Sequence, residues 1–216
     1  MGKLDLITII IIAANVIISY KGFNDYAFFE KYKLQVGGVQ RGEQIRLFSS
    51  GFLHADTQHL LFNMLTLYFF ADVVIGVLSP LQFLLIYIGS LLLGSLLSVY
   101  FHKKEYHYSA VGASGAVMGV LYSAILLQPG MSLIMFFIPI PIPAYIFGIG
   151  YLLYTIYGMK NKIGNIGHDA HFGGAIGGYL ITLILSPWLF ETNLLMIGLL
   201  AIPIVILFAL RKAGKI

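Results

Sequence analysis

The sequence predicts an all-α polytopic membrane protein: six transmembrane helices and a seventh at the C-terminus, in a single domain over 1–216. Composition is the first observation. Of 216 residues, 59% are hydrophobic and 10% charged, with mean hydropathy +0.89, whereas a soluble domain carries about a quarter charged residues. The second is the recurrence of apolar runs approaching the roughly 20 residues that cross a bilayer. The third is that polar residues inside those runs fall into a few groups, and such residues are costly there unless they have a function.

The elements follow in order. Leu4–Tyr20 is the first candidate helix. Only Lys3 precedes it, and no clear small-residue cleavage site follows, so it reads as a retained helix and not a signal peptide. Lys21–Asp56 holds most of the charge, interleaved with aromatics, and is expected to form an interfacial loop lying partly on the bilayer. Further helices are expected at 57–77, 80–102, 114–128, 142–158 and 169–187. Pro139, Pro141 and Pro143 cannot sit inside a helix, so they mark the approach to the fifth. Asn193–Leu210 supplies the seventh helix outside a core of 4–187, with Pro203 inside it and Arg211 and Lys212 behind it.

Composition also excludes several classes of function. The chain has no cysteine, so a disulfide framework, a thiol nucleophile and a thiolate metal site are all ruled out. The formal charge of +4 is spread through the connecting segments and forms no basic stripe, which argues against nucleic acid.

Three polar groups stand out. His54, His59 and Asn63 lie in "HADTQHLLFNM", where Asp56 or Thr57 can cap the helix and His59 and Asn63 share one of its faces. Ser114 opens an apolar helix within Gly112-Ala113-Ser114-Gly115. His168, Asp169 and His171 enter the glycine-rich "GHDAHFGGAIGGY". A serine hydroxyl is a weak nucleophile until a neighbouring base takes its proton, and histidine titrates in the right range. Gly115 and Gly119 on one helix, with Gly173/Gly177 and Gly174/Gly178 on the other, let two transmembrane backbones approach closely. Ser114 and His171 are therefore a candidate dyad. Asp169 lies about 200° round the helix from His171, so it should point away and serve as an N-cap or first-turn acid. Developing negative charge needs donors. The Ser114 backbone N–H, the Asn63 amide and the His59 imidazole can supply them.

Other readings compete with this one. A lone membrane serine usually bonds the carbonyl one turn back, glycine pairs usually mean packing alone, and His54 can be read simply as an interfacial residue. His102 and His107 flank a charged loop and receive no chemistry. A metal site from His54, His59, His168 and His171 is disfavoured, because His54 and His59 would diverge by about 140° on one helix.

These motifs together resemble the rhomboid intramembrane serine proteases. The resemblance rests on Gly112-Ala113-Ser114-Gly115 for the GxSG motif, on His54, His59 and Asn63 for HxxxxHxxxN, and on Ala170-His171-Phe172-Gly173-Gly174. Glu43 and Arg46 resemble polar positions of the family's first external loop. The family often has Trp before that arginine, where this chain has Ile45. Many members have an aromatic four residues after the nucleophile, where this chain has Met118, whose thioether can still pack on an imidazole.

The resemblance implies a rhomboid-like helical bundle without metal or cofactor. It implies cleavage of single-pass membrane proteins near the outer face of the bilayer, at a substrate helix that unwinds easily. It gives Ser114 the part of nucleophile and His171 that of general base, with His59, Asn63 and the Ser114 backbone N–H holding the oxyanion. Gly112, Gly115, His54 and Gly174 take supporting places. The expected location is the plasma membrane of a prokaryotic cell. Lys and Arg concentrate in 21–46, 103–104 and 160–162, which the positive-inside tendency would place in the cytoplasm. The family orientation puts these segments outside, and that orientation is the expectation adopted. A transporter would also carry polar residues and broken helices at membrane depth, but it needs no glycine-flanked serine beside oxyanion donors. A non-catalytic helix-binding member of the family would not need both Ser114 and His171.

Overall fold

The computed structural model describes residues 5–135, 138–161, 163–164 and 167–216. The long helices among them are α1 (Leu6–Asn24), α2 (Thr57–Val77), α3 (Pro80–Phe101), α4 (Ser114–Leu127), α5 (Ala144–Asn161), α6 (His168–Leu185) and α7 (Leu194–Lys212). By length and hydropathy α1, α2, α3 and α7 are each able to cross a membrane. Local sequence explains several starts. Asp5 accepts from the Ile7 amide at 2.9 Å, Asp56 from His59 at 2.7 Å and Ser79 from Gln82 at 3.3 Å, the last ahead of Pro80 in the first turn.

The segment Lys21–Asp56, expected as an interfacial loop, is built of short elements folded against the bundle. It contains short helices at Tyr26–Tyr32, Val36–Gln40 and Arg46–Ser49 and a 3-10 turn at Ser50–Phe52. Arg46 ties them together, reaching Glu43 Oε2 at 2.5 Å and the Glu30 and Lys33 carbonyls at 2.8 and 2.9 Å. Strand β1 (Leu34–Gln35) pairs antiparallel with β2 (Ser109–Ala110), in register Leu34↔Ala110. Leu34, Val39 and Leu47 bury a small satellite core beneath this cap.

The fifth helix begins at Ala144, later than expected, because the proline run is extended. Strand β3 (Ser132–Met135) and strand β4 (Ile138–Pro143) form an antiparallel ribbon, in register Ser132↔Pro143. The first helix runs on to Asn24 before Asp25 interrupts it.

α4 is the axis of the bundle, with every residue from Gly115 to Leu127 buried. Its 14 residues span about 21 Å at 1.5 Å per residue, less than the roughly 30 Å hydrocarbon core. By itself α4 is therefore too short to reach both surfaces of a bilayer.

The two glycine faces of α6 meet different helices. A side chain at Gly173 would meet the Leu93 carbonyl of α3 at 2.7 Å, and one at Gly177 would meet Ser90 Cα at 2.8 Å. Gly174 and Gly178 instead abut the Gly115 and Gly119 backbone of α4. Adjacent helical residues lie about 100° apart, so one helix can seat two neighbours this way. At the far end, the Arg211 guanidinium sits 4.1 Å from the Phe101 ring. The C-terminal end of α7 thus lies at the same face as the end of α3.

Candidate active site

Ser114 is the first residue of α4. Gly112 makes the turn into it with φ +130, a conformation side chains other than glycine's rarely adopt. The Gly112 amide is fixed to the Ser50 carbonyl at 3.0 Å. His54 also positions this turn. Burial, and secondarily the neighbouring His59, drive its imidazole well below the ordinary range to about 3, so it is neutral. Its Nδ1 meets Ser19 Oγ at 2.8 Å, and Ser19 Oγ donates to the Phe52 carbonyl at 3.0 Å. Its Nε2 accepts from the Ala113 amide at 3.4 Å. With both nitrogens used, His54 is a buried strut and not an interfacial residue.

His59 stands edge-on to His54, with ring centroids 5.0 Å apart. A Cβ on Gly112 would lie 2.6 Å from His59 Cε1 and 3.6 Å from Ser114 Oγ, so imidazole and hydroxyl share one small space. Glycine keeps that space open. Asn63, one turn further along α2, is buried with its Nδ2 lacking any partner among the described residues. A buried amide donor without a partner costs free energy, and such costs concentrate where a ligand completes the bonding. The amides of Ser114, Gly115 and Ala116 likewise have no acceptor among the described residues, as expected in a first helical turn.

His171 lies one turn into α6 and is 8% exposed. It is brought towards α4 by the glycine seam, where a Cβ on Gly115 would sit 3.1 Å from the Ala170 carbonyl. No direct hydrogen bond joins Ser114 to His171 among the described residues. His171 Nδ1 is instead bonded to Tyr151 Oη of α5 at 2.7 Å, with the rings inclined at 31°. Tyr151 escaped the sequence reading. A tyrosine within an apolar helix carries a polar tip that needs a partner when buried, and that was the signal available.

Asp169 does turn aside, as a first-turn acid of α6. It turns towards His102, which the sequence left without chemistry and whose Nε2 lies 3.7 Å from Asp169 Oδ1. Met118 is buried in α4. His168 does not converge on His54 and His59; its Nε2 faces the Ile163 carbonyl at 3.1 Å.

A hydroxyl at an open helix N-terminus, an imidazole with one nitrogen engaged and unpaired donors nearby form a set suited to acyl transfer within a helical membrane bundle. Residues 41–188 match the Rhomboid domain. The chain belongs to the rhomboid family and is a multi-pass integral membrane protein. It is 28% identical over 182 residues to RHOMBOID-like protein 12, mitochondrial, of Arabidopsis thaliana, covering 77% of this chain and 54% of that protein. Rhomboid protein 1, mitochondrial, of Saccharomyces cerevisiae is 29% identical over 161 residues, covering 72% and 45%. Rhomboid protease GluP of Bacillus subtilis is 32% identical over 150 residues, covering 68% and 27%. The chain thus spans about half the length of the first two relatives.

Proposed function

We propose that the protein is an intramembrane serine endopeptidase that cleaves transmembrane segments of single-pass membrane proteins, using Ser114 and His171 and no metal or cofactor. The observation that carries this reading is the glycine seam. Gly115 and Gly174 set the start of the serine helix against the first turns of the histidine helix, at the end of a helix too short to reach both membrane surfaces.

In this reading Ser114 Oγ attacks the scissile carbonyl carbon while His171 Nε2 takes its proton. His171 Nδ1–H donates to Tyr151 Oη, which fixes the tautomer and leaves the Nε2 lone pair free to take the serine proton. The oxyanion is held by the Ser114 amide, Asn63 Nδ2 and the His59 imidazole. Collapse breaks the C–N bond, and His171 returns the proton to the leaving amine. Water then enters, gives a proton to His171 and hydrolyses the acyl-enzyme, releasing the acid and restoring the hydroxyl. A helical peptide bond is shielded by its own turn, so the substrate must unwind locally. The chain acts as one unit over 1–216 in the plasma membrane of a prokaryotic cell. Met1 is cytoplasmic, and the ends of α3 and α7 face outside.

A fluorophosphonate probe tests the assignment, since it labels activated serines and leaves ordinary ones untouched. Ser114 is expected to be labelled in the folded wild type, with the label absent in Ser114→Ala and strongly reduced in His171→Ala. Undiminished cleavage of a transmembrane reporter by folded Ser114→Ala would end this reading.

A further inference from the structure

We propose that His102 and Asp169 form a protonation-dependent positioning pair that clamps the segment leading into Ser114 against the first turn of the helix carrying His171. The inference rests on the Ser114–His171 reading above.

Asp169 is 4% exposed, and a carboxylate so placed must be paired or hydrogen-bonded. Its partners lie outside its own helix. Tyr108 Oη donates to its two oxygens at 3.3 and 3.4 Å, and His102 Nε2 stands 3.7 Å away. The His102 and Tyr108 rings stack at 3.5 Å and 6°, so the two residues meet the carboxylate as one unit. Glu105 Oε2 lies 3.1 Å from His102 Nδ1, which places the imidazole between two acids. A cavity of about 340 Å³ bounded by His102, Glu105, Asp169, His168 and Arg211 reaches these groups, giving protons a route to them. Arg211 of α7, stacked over the Phe101 and Tyr100 rings, opposes the charging of His102, and the two acids outweigh it. Lys103 extends over Tyr100.

The unit is tethered to both halves of the site. The Tyr108 carbonyl accepts from the Val36 amide at 3.1 Å, and β2 follows it, then Gly112 and Ser114. Asp169 is two residues ahead of His171 on α6. A change in the pair therefore moves the approach to the serine relative to the histidine. Burial lowers the His102 pKa, but Asp169 and Glu105 together outweigh it and raise it above the ordinary value. A histidine raised on folding stabilises fully below its unfolded pKa and loses that contribution as pH climbs through the folded one. The clamp is closed on the acid side and slackens on the alkaline side.

The test uses the full chain with a transmembrane reporter and two variants. His102→Phe keeps the stack on Tyr108 and removes the titration, while Asp169→Asn keeps an acceptor for Tyr108 and removes the charge. The wild type is expected to lose kcat/KM on the alkaline side. Both variants are expected to lack that limb and to converge with the wild type there. The Tm difference between wild type and His102→Phe is expected to be largest on the acid side and to vanish on the alkaline side. An unchanged alkaline limb in both variants, with a Tm difference independent of pH, overturns the clamp and leaves the protease reading intact. Absence of cleavage and of Ser114 labelling in the folded wild type overturns the protease reading, and with it the role of the pair in catalysis.

Discussion

Replacing Gly174 with alanine strikes the seam on which the site depends. The added Cβ would lie 2.5 Å from the Gly115 carbonyl carbon and 2.8 Å from its Cα, with the carbonyl oxygen closer still. Carbon–carbon contacts are best at about 3.5–4.0 Å, so α4 and α6 must part by about 1 Å. Neither side can yield by rotating a side chain, because both contacts are backbone. Overpacking of this kind costs about 1–3 kcal/mol, which a folded bundle can survive. The effect on chemistry is larger. Ser114 adjoins Gly115 and His171 is one turn from Gly174, so the opening passes directly to the reacting atoms, where a misplacement of about 1 Å costs roughly 100-fold. Gly174→Ala is therefore expected to remain folded in detergent, with a modestly lower Tm and kcat/KM on a transmembrane reporter reduced about 100-fold. Gly198→Ala is the control, because nothing lies within 4 Å of its added Cβ, and it should match the wild type. Equal activity in folded Gly174→Ala and wild type would refute the claim that this seam sets the geometry.

Tyr151→Phe removes one hydrogen bond from His171 Nδ1; at about 0.5–1.5 kcal/mol it should lower kcat/KM roughly two- to tenfold, while a change beyond 100-fold would mean that Tyr151 does more than orient the ring. Asn63→Ala should reduce kcat by about 10²–10³-fold, the usual effect of losing one oxyanion donor, with substrate binding little changed; retention of full kcat would remove Asn63 from the oxyanion site. Reporter fusions at Met1 and Ile216 should read opposite sides of the membrane with Met1 cytoplasmic, and an external Met1 would invert the orientation.

Much of the fold was legible because hydropathy and capping are local. The run 57–77 is bounded by Asp56, which caps it, and the start of 80–102 by Ser79 and Pro80, so those helices fall where the residues place them. Ser114, His171, His59 and Asn63 could be singled out because polar groups in apolar helices are few and costly. The proline run misled by two residues, because β4 is built by pairing with β3, and a strand partner is not visible in the strand itself. Asp169 could be seen to turn away from His171, since helical spacing decides that within one segment. What Asp169 turns towards was not legible: its partners are His102 and Tyr108, on elements the chain reaches much earlier. The same holds for Tyr151 behind His171, for Arg46 gathering the carbonyls of Glu30 and Lys33, and for the split by which Gly173 and Gly177 serve α3 while Gly174 and Gly178 serve α4. Periodicity tells which residues share a face of one helix. Which helix that face meets is settled by packing among distant segments, and only the tertiary structure decides it.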